Sequence, residues 1–152
     1  MFETYVTVIG NVVSDPRRRV TSAGGEVISF RVGVTSRRRD RASGEWQAGE
    51  ALYLTVSCWG RLVTGVGEAV QRGRPVIVHG HIKTREYVGS DGQARSDLEM
   101  TATAVGLDLS RCVVGQVIST RDYEARTTGA IDADAVTDGH EAPDSDSHGR
   151  AA

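Results

Sequence analysis

A single switch of hydrophobic period constrains this chain more than any other feature of it. Up to Trp59 apolar residues recur at every second position; Leu62, Val66 and Val70 then recur at every fourth; from Val76 the period of two returns. A period of two places alternate side chains on the two faces of a strand, whereas a four-residue spacing keeps them on one face of a helix. The chain therefore reads as a series of β-strands interrupted once by a short helix.

The strand runs are well punctuated. Tyr5 to Val13 is rich in Val, Ile and Thr and stops at the breaker Ser14-Asp15-Pro16. After the turn signal Ala23-Gly24-Gly25, Val27 to Thr35 alternates strictly, with Ile28, Phe30, Val32 and Val34 on one face and Ser29, Arg31, Gly33 and Thr35 on the other. Ala51 to Trp59 turns Leu54, Val56 and Cys58 inward and Tyr53, Thr55, Ser57 and Trp59 outward. Between it and the previous run lies a long polar loop, about 36–50. A fourth strand covers Val76 to Tyr87, and a Gly89-Ser90-Asp91-Gly92 turn leads to a return strand from Ala94 to Val105. In that last strand Leu98, Met100, Ala102 and Ala104 share a face. The helix ends at Gly73 and Pro75, and Gly65 and Gly67 inside it each cost about 1 kcal/mol against Ala, so it needs tertiary packing to persist.

Five strands with one helix between the third and fourth is the order of an OB-fold barrel. Gly10, Gly33, Gly60 and Gly80 suit strands that bend sharply or approach closely. A two-sheet sandwich has the same number of strands, and the position of the helix argues against it. The expected fold is all-β: a five-stranded OB-fold barrel over residues 1–110. Residues 111–128 contain Val113 to Thr120, whose composition favours a further strand, expected to clamp a neighbouring subunit across an exposed sheet edge. Residues 129–152 lack aromatic side chains and are highly charged, so a disordered acidic tail is expected there.

Composition narrows the function. A chain of 152 residues has room for one ordinary domain. No run approaches 18 apolar residues and the start has no basic n-region or apolar h-region, so a membrane span and a secretory signal are not expected. Two cysteines, Cys58 and Cys112, are too few for a disulfide framework or a four-ligand zinc site, and the expected location is cytoplasmic, with the nucleoid. The net charge of −2 hides an asymmetry: residues 1–111 hold 15 of the 18 basic and 12 of the 20 acidic residues, leaving a basic body and an acidic remainder. Such a body suits a polyanionic partner, although chance asymmetry of a solvated surface gives the same count.

The outward faces carry the chemistry. Tyr53 and Trp59 share one face, about 20 Å apart along their strand. The fourth strand adds Ile77, His79, His81, Lys83, Arg85 and Tyr87 on one side, and Arg31 contributes another cation. Aromatic rings interleaved with cations are what single-stranded nucleic acid requires, since bases stack on the rings while phosphates pair with the cations. The competing reading packs one or another ring on a neighbouring subunit. Arg37 and Arg38 in the polar loop are placed to reach a phosphate backbone; Trp46 beside them either stacks on a base or anchors the loop; Arg17, Arg18 and Arg19 read as surface charge. His79 and His81 supply two of the ligands a zinc ion needs, with no third in view, so no metal is expected. No nucleophile elbow, phosphate-cradling glycine loop or paired-carboxylate arrangement is present, and Cys58 reads as a packed thiol. The chain reads as a binding protein with no catalytic residues and no cofactor.

Several segments resemble the bacterial single-stranded DNA-binding proteins. They are Gly10-Asn11-Val12-Val13-Ser14-Asp15-Pro16, Ile28-Ser29-Phe30-Arg31-Val32 followed by Thr35-Ser36, Trp59-Gly60-Arg61-Leu62, and Val76 to Tyr87 with Asp91-Gly92-Gln93 after it. The resemblance implies an OB-fold assembled as a homotetramer that coats single-stranded DNA in replication, recombination and repair. It puts the family's stacking aromatics at Tyr53, Trp59 and Tyr87, and a fourth, usually Trp, near Arg38. Members that recruit replication and repair enzymes end in an acidic tip closing on Pro-Phe, which residues 144–152 do not match. An accessory paralogue without tail-mediated recruitment is therefore expected. The rival function is an OB-fold assembly module of the primosome-accessory kind, which has little use for stacking aromatics.

Overall fold

The structure is a computed structural model and describes residues 2–134. Its elements in chain order are β1 (Thr4–Val12), β2 (Arg17–Val20), β3 (Glu26–Arg39), β4 (Trp46–Trp59), α1 (Leu62–Ala69), β5 (Pro75–Val88), β6 (Ala94–Leu107) and α2 (Thr120–Asp134). The strands form one sheet in the order β1-β5-β6-β4-β3-β2, and a further β1–β3 pairing returns the ladder to its first strand. All pairings are antiparallel except β4 with β6. The chain divides into a unit ending at Gly115, which holds every strand and α1, and a second beginning at Gln116, which holds α2.

The inward residues expected from alternation close the core. Ile28, Phe30, Val32, Leu54, Val56, Cys58, Val76, Val78 and Met100 are all buried, and α1 adds Val63 and Val66. Arg61, at the start of α1, offers no side-chain cap, so burial of those two valines is what holds the short helix in place.

Four features depart from the sequence expectation. Arg17 to Val20 forms a short edge strand paired with Glu26 to Ser29, making six strands rather than five. The expected loop over 36–50 is mostly ladder, because β3 and β4 pair out to Arg39 and Trp46. Its tip is set by Asp40, whose carboxylate accepts from the Ala42 amide at 3.0 Å and the Ser43 hydroxyl at 3.0 Å, with Gly44 at φ 71°. In β6 the register slips between His79 and Gly80, leaving Thr103 as an extra residue. The slip flips the alternation, so Ala104, expected on one face with Leu98, Met100 and Ala102, is exposed while Val105 and Leu107 pack on the core.

The fourth departure lies after the sheet. No strand forms over 113–120; α2 begins at Thr120 instead. Ser119 caps it, accepting from the Asp122 amide at 3.1 Å and donating to the Asp122 carboxylate at 2.6 Å. The stretch expected to be disordered from Gly129 starts as helix up to Asp134, and residues 135–152 lie outside those described. The presence of α2 also makes the described chain mostly β rather than all-β.

The end of the sheet unit is tied down by Arg111. Its guanidinium donates to Asp108 at 3.0 Å, to the Asn11 side chain at 3.1 Å and to the Gly10 carbonyl at 3.1 Å, so the segment after β6 is bound to β1. The Ser110 hydroxyl, and after it Arg111, hold the Asp108 carboxyl below its ordinary value. The Asp108 arm of the tie is thus present above the ordinary carboxylate range and is lost as pH falls through that lowered value, while the bonds to Asn11 and Gly10 do not titrate with it.

Burial pushes the Cys58 thiol up to about 12. In the unfolded chain it ionises near 9, so its contribution to stability is complete below pH 9 and fades as the pH rises from there toward 12. A thiol reagent at pH 8 is expected to label Cys112, which is only partly buried, and to reach Cys58 only after denaturant is added. Counting labelled thiols by mass spectrometry, with and without guanidinium, checks this.

Candidate nucleic-acid interface

Directly paired residues of neighbouring strands point to the same face, so the register shows which side chains meet on the outside of the sheet. One row runs Arg19, Val27, Trp59 across β2, β3 and β4. Val27, between the other two, is fully buried although it lies on the outer face. The next row is Arg17, Ser29, Ser57, Thr101 and His81, ending at Tyr5. A third is Arg31, Thr55, Glu99 and Lys83, and two residues further along the β3–β4 pair Tyr53 stands opposite Gly33. The outer face is therefore a grid of arginines, hydroxyls and aromatic rings, with Trp59 44%, Tyr53 51% and Tyr5 52% exposed.

Two clefts are cut into this grid. One, of about 390 Å³, is lined by Trp59, Ser57, Arg19, Lys83, Arg85, Glu99 and Thr101. The other, of about 430 Å³, is lined by Arg17, Arg31, Arg72, Ser14, Asp15, Ser29 and Thr55. Ser57 and Arg19 in the first are followed by Thr55 and Arg17 in the second, so the two succeed one another along β2 and β4. Together they can accept an extended anionic chain, with hydroxyl donors and guanidinium groups along the walls and an indole at one end.

The expected site residues divide into groups. Trp59, Lys83 and Arg85 share the first cleft, Arg31 lines the second, and Tyr53 lies beside it on the same face. Tyr87 stands on the same side of β5 as Arg85, opposite Arg95, and lines neither cleft. Arg37 and Arg38 are on the β3–β4 arm, where pairing with Ala48 and Gln47 points them to opposite sides. His79 and His81 line neither cleft, although His81 stands in the second row between Thr101 and Tyr5. Tyr5 stacks on His79 with ring centroids 5.9 Å apart and meets His81 edge-on at 5.8 Å, while Thr7 is 2.9 Å from the His79 Nδ1. They form a cluster with β1, next to the exposed Ile9 and Ile77. Among the described residues no three His, Cys, Asp or Glu side chains gather as a metal site.

Arg17, Arg19 and Arg72 also line the clefts, where none was expected from the sequence. The first two sit two residues apart, which is the signature of one strand face, but a run of three arginines after a turn hides that period. Arg72 lies in the turn after α1, and only the tertiary fold carries it to the second cleft.

Comparison with known proteins bears on this face. The Single-strand binding protein family model matches residues 4–108, which include all six strands and α1. A "Single-stranded DNA-binding protein 2" from Streptomyces coelicolor is 44% identical over 107 residues, covering 70% of this chain and 54% of that protein. A single-stranded DNA-binding protein of Corynebacterium glutamicum is 41% identical over 108 residues, covering 71% of this chain and 48% of its own length. This chain thus spans about half the length of these two relatives. Among solved structures, a small single-stranded DNA-binding protein from Streptomyces coelicolor superposes with a TM-score of 0.67 at 34% identity, covering 74% of this chain and all of the other. The second such protein of Mycobacterium smegmatis gives a TM-score of 0.59 at 40% identity, covering 77% of this chain and 100% of its own.

Proposed function

Because the chain belongs to the single-strand binding protein family, we propose that it binds single-stranded DNA without sequence preference, on the grid formed by β2, β3, β4, β5 and β6. On this reading the returning ladder is an OB-fold barrel. Trp59 and Tyr53 stack on bases, while Arg17, Arg19, Arg31, Arg72, Lys83 and Arg85 take phosphates. The observation that carries it is the first cleft, where an exposed indole stands beside three cations. Neither group alone distinguishes single strands from other anions; together they need a backbone whose bases are free to stack.

Titration with oligo-dT across a salt series tests the reading. Affinity should fall steeply with salt, since each neutralised phosphate releases condensed counterions, and the indole emission should fall as a base stacks. Absence of binding at low salt would reject the proposal. The arm contributes through charge alone: with both Arg37 and Arg38 replaced by alanine, log affinity should decline less steeply with log salt, by about 0.7 per lost contact. Weaker binding with an unchanged slope would mean that these arginines act by another route.

Assembly into a homotetramer is part of the same proposal. Along Thr4 to Gly10, β1 has a ladder partner on one side only, and Tyr5, Ile9 and Ile77 are exposed nearby. A second copy is the natural cover for that edge and patch. Residues 111–128 are proposed to clamp a neighbouring subunit, with the exposed Val113 and Val117 buried only in the assembly. Ending the chain after Cys112 keeps Arg111 and its ties to β1. That variant should fall below four subunits, read as mass by light scattering, or melt earlier than the full chain; an unchanged subunit number and melting temperature would remove the clamp.

A further inference from the structure

The first cleft contains one group that opposes its proposed use. Glu99 lies on β6 directly across the ladder from Lys83, with Asp97 across from Arg85. Its carboxylate is 3.4 Å from the Arg85 Nη1 and 3.9 Å from the Lys83 Nζ. The glutamate side chain is 22% exposed, whereas both cations are 66% exposed, so the acid sits below and the bases reach over it. Trp59, Ser57 and Arg19 complete the same cleft. We propose that Glu99 is a resident competitor for phosphate, holding Lys83 and Arg85 in the free protein and weakening their hold on any anion that arrives.

The inference rests on the reading of this face as a single-strand interface and adds a specificity element to it. A carboxylate joined to the sheet cannot leave when a phosphate takes its partners; it remains as a like charge a few ångströms away. Two cations alone would hold any polyanion. With Glu99 against both of them and Asp97 across the ladder from Arg85, much of their charge is offset, so occupancy depends on what else the ligand offers, and base stacking on Trp59 offers most. A polyanion without free bases gains nothing from the indole and is held weakly at this point. Binding here is thus conditional on stacking.

The test compares wild type with E99Q, which keeps the shape and removes the charge. At 50 mM salt E99Q should bind oligo-dT about three- to tenfold more tightly, the size expected for removing a like charge some 5 Å away in a watery cleft. The gain should shrink as salt screens it, steepening the slope of log affinity against log salt by up to about 0.7. E99Q should also elute from a heparin column at higher salt. In a K83Q/R85Q background the same substitution should bring no gain. Unchanged or weaker binding by E99Q overturns the proposal and makes Glu99 a residue that orients the two cations. A gain that persists without Lys83 and Arg85 overturns it too, since the charge would then act at a distance. Should wild type fail to bind oligo-dT at all, the single-strand reading falls, and the heparin elution of E99Q alone decides whether Glu99 competes for anions.

Discussion

Replacing Trp59 with alanine is expected to weaken oligo-dT binding by about 1–3 kcal/mol, a loss of roughly 5- to 150-fold, because one base loses its platform. Anisotropy of a labelled oligonucleotide is the appropriate readout, since the substitution also removes the reporting indole. The protein should remain folded. Trp59 is the last residue of β4 and 44% exposed, so its ring adds little to the core, although truncation uncovers Val27 next to it in the row. A melting temperature within a few degrees of wild type, together with the lost affinity, places Trp59 in the interface. Undiminished affinity would leave the first cleft to the cations alone.

Gly80→Ala should have the reverse profile, a large loss of stability with any effect on binding following from it. Gly80 adjoins the register slip between β5 and β6. An added methyl group would be driven into the Thr101 carbonyl oxygen and would come within 2.8 Å of the Ala102 Cα. Both are backbone atoms of a paired strand and cannot step aside as a side chain does. The cost should be at least about 3 kcal/mol, at the upper end for overpacking, or a fall of more than about 10 °C in melting temperature. Gly65→Ala is the control: its methyl meets nothing within 4 Å, the backbone is helical, and alanine there should stabilise slightly. Thermal melts of the two variants separate close approach from any general sensitivity to losing a glycine.

The inside of the molecule is legible in the order of the residues. Alternation over Ile28, Phe30 and Val32, and over Leu54, Val56 and Cys58, identified the buried faces, and the one change of period located α1. Burial of apolar surface is proportional to area and indifferent to partner, so each segment carries its own evidence of which side goes in. The outward aromatics and the Lys83 and Arg85 pair were legible for the same reason, as what remained on the other face.

What those outward residues meet depends on how the strands pair. His79, His81, Lys83 and Arg85 share one side of β5, yet the first two face Tyr5 on β1 and the last two face Glu99 on β6. Neighbours across a sheet are assigned by strand order and register, which depend on contacts distant in sequence and leave no local period. The polar arm was misread because backbone pairing from Arg37 to Arg39 has no apolar face to announce it. Ala104 was misplaced because a single inserted residue, Thr103, reverses every later side chain at no cost in composition. Hydrophobic pattern determines which side of a strand is buried; pairing determines which charges and rings share a cleft, and so the site was decided by the fold.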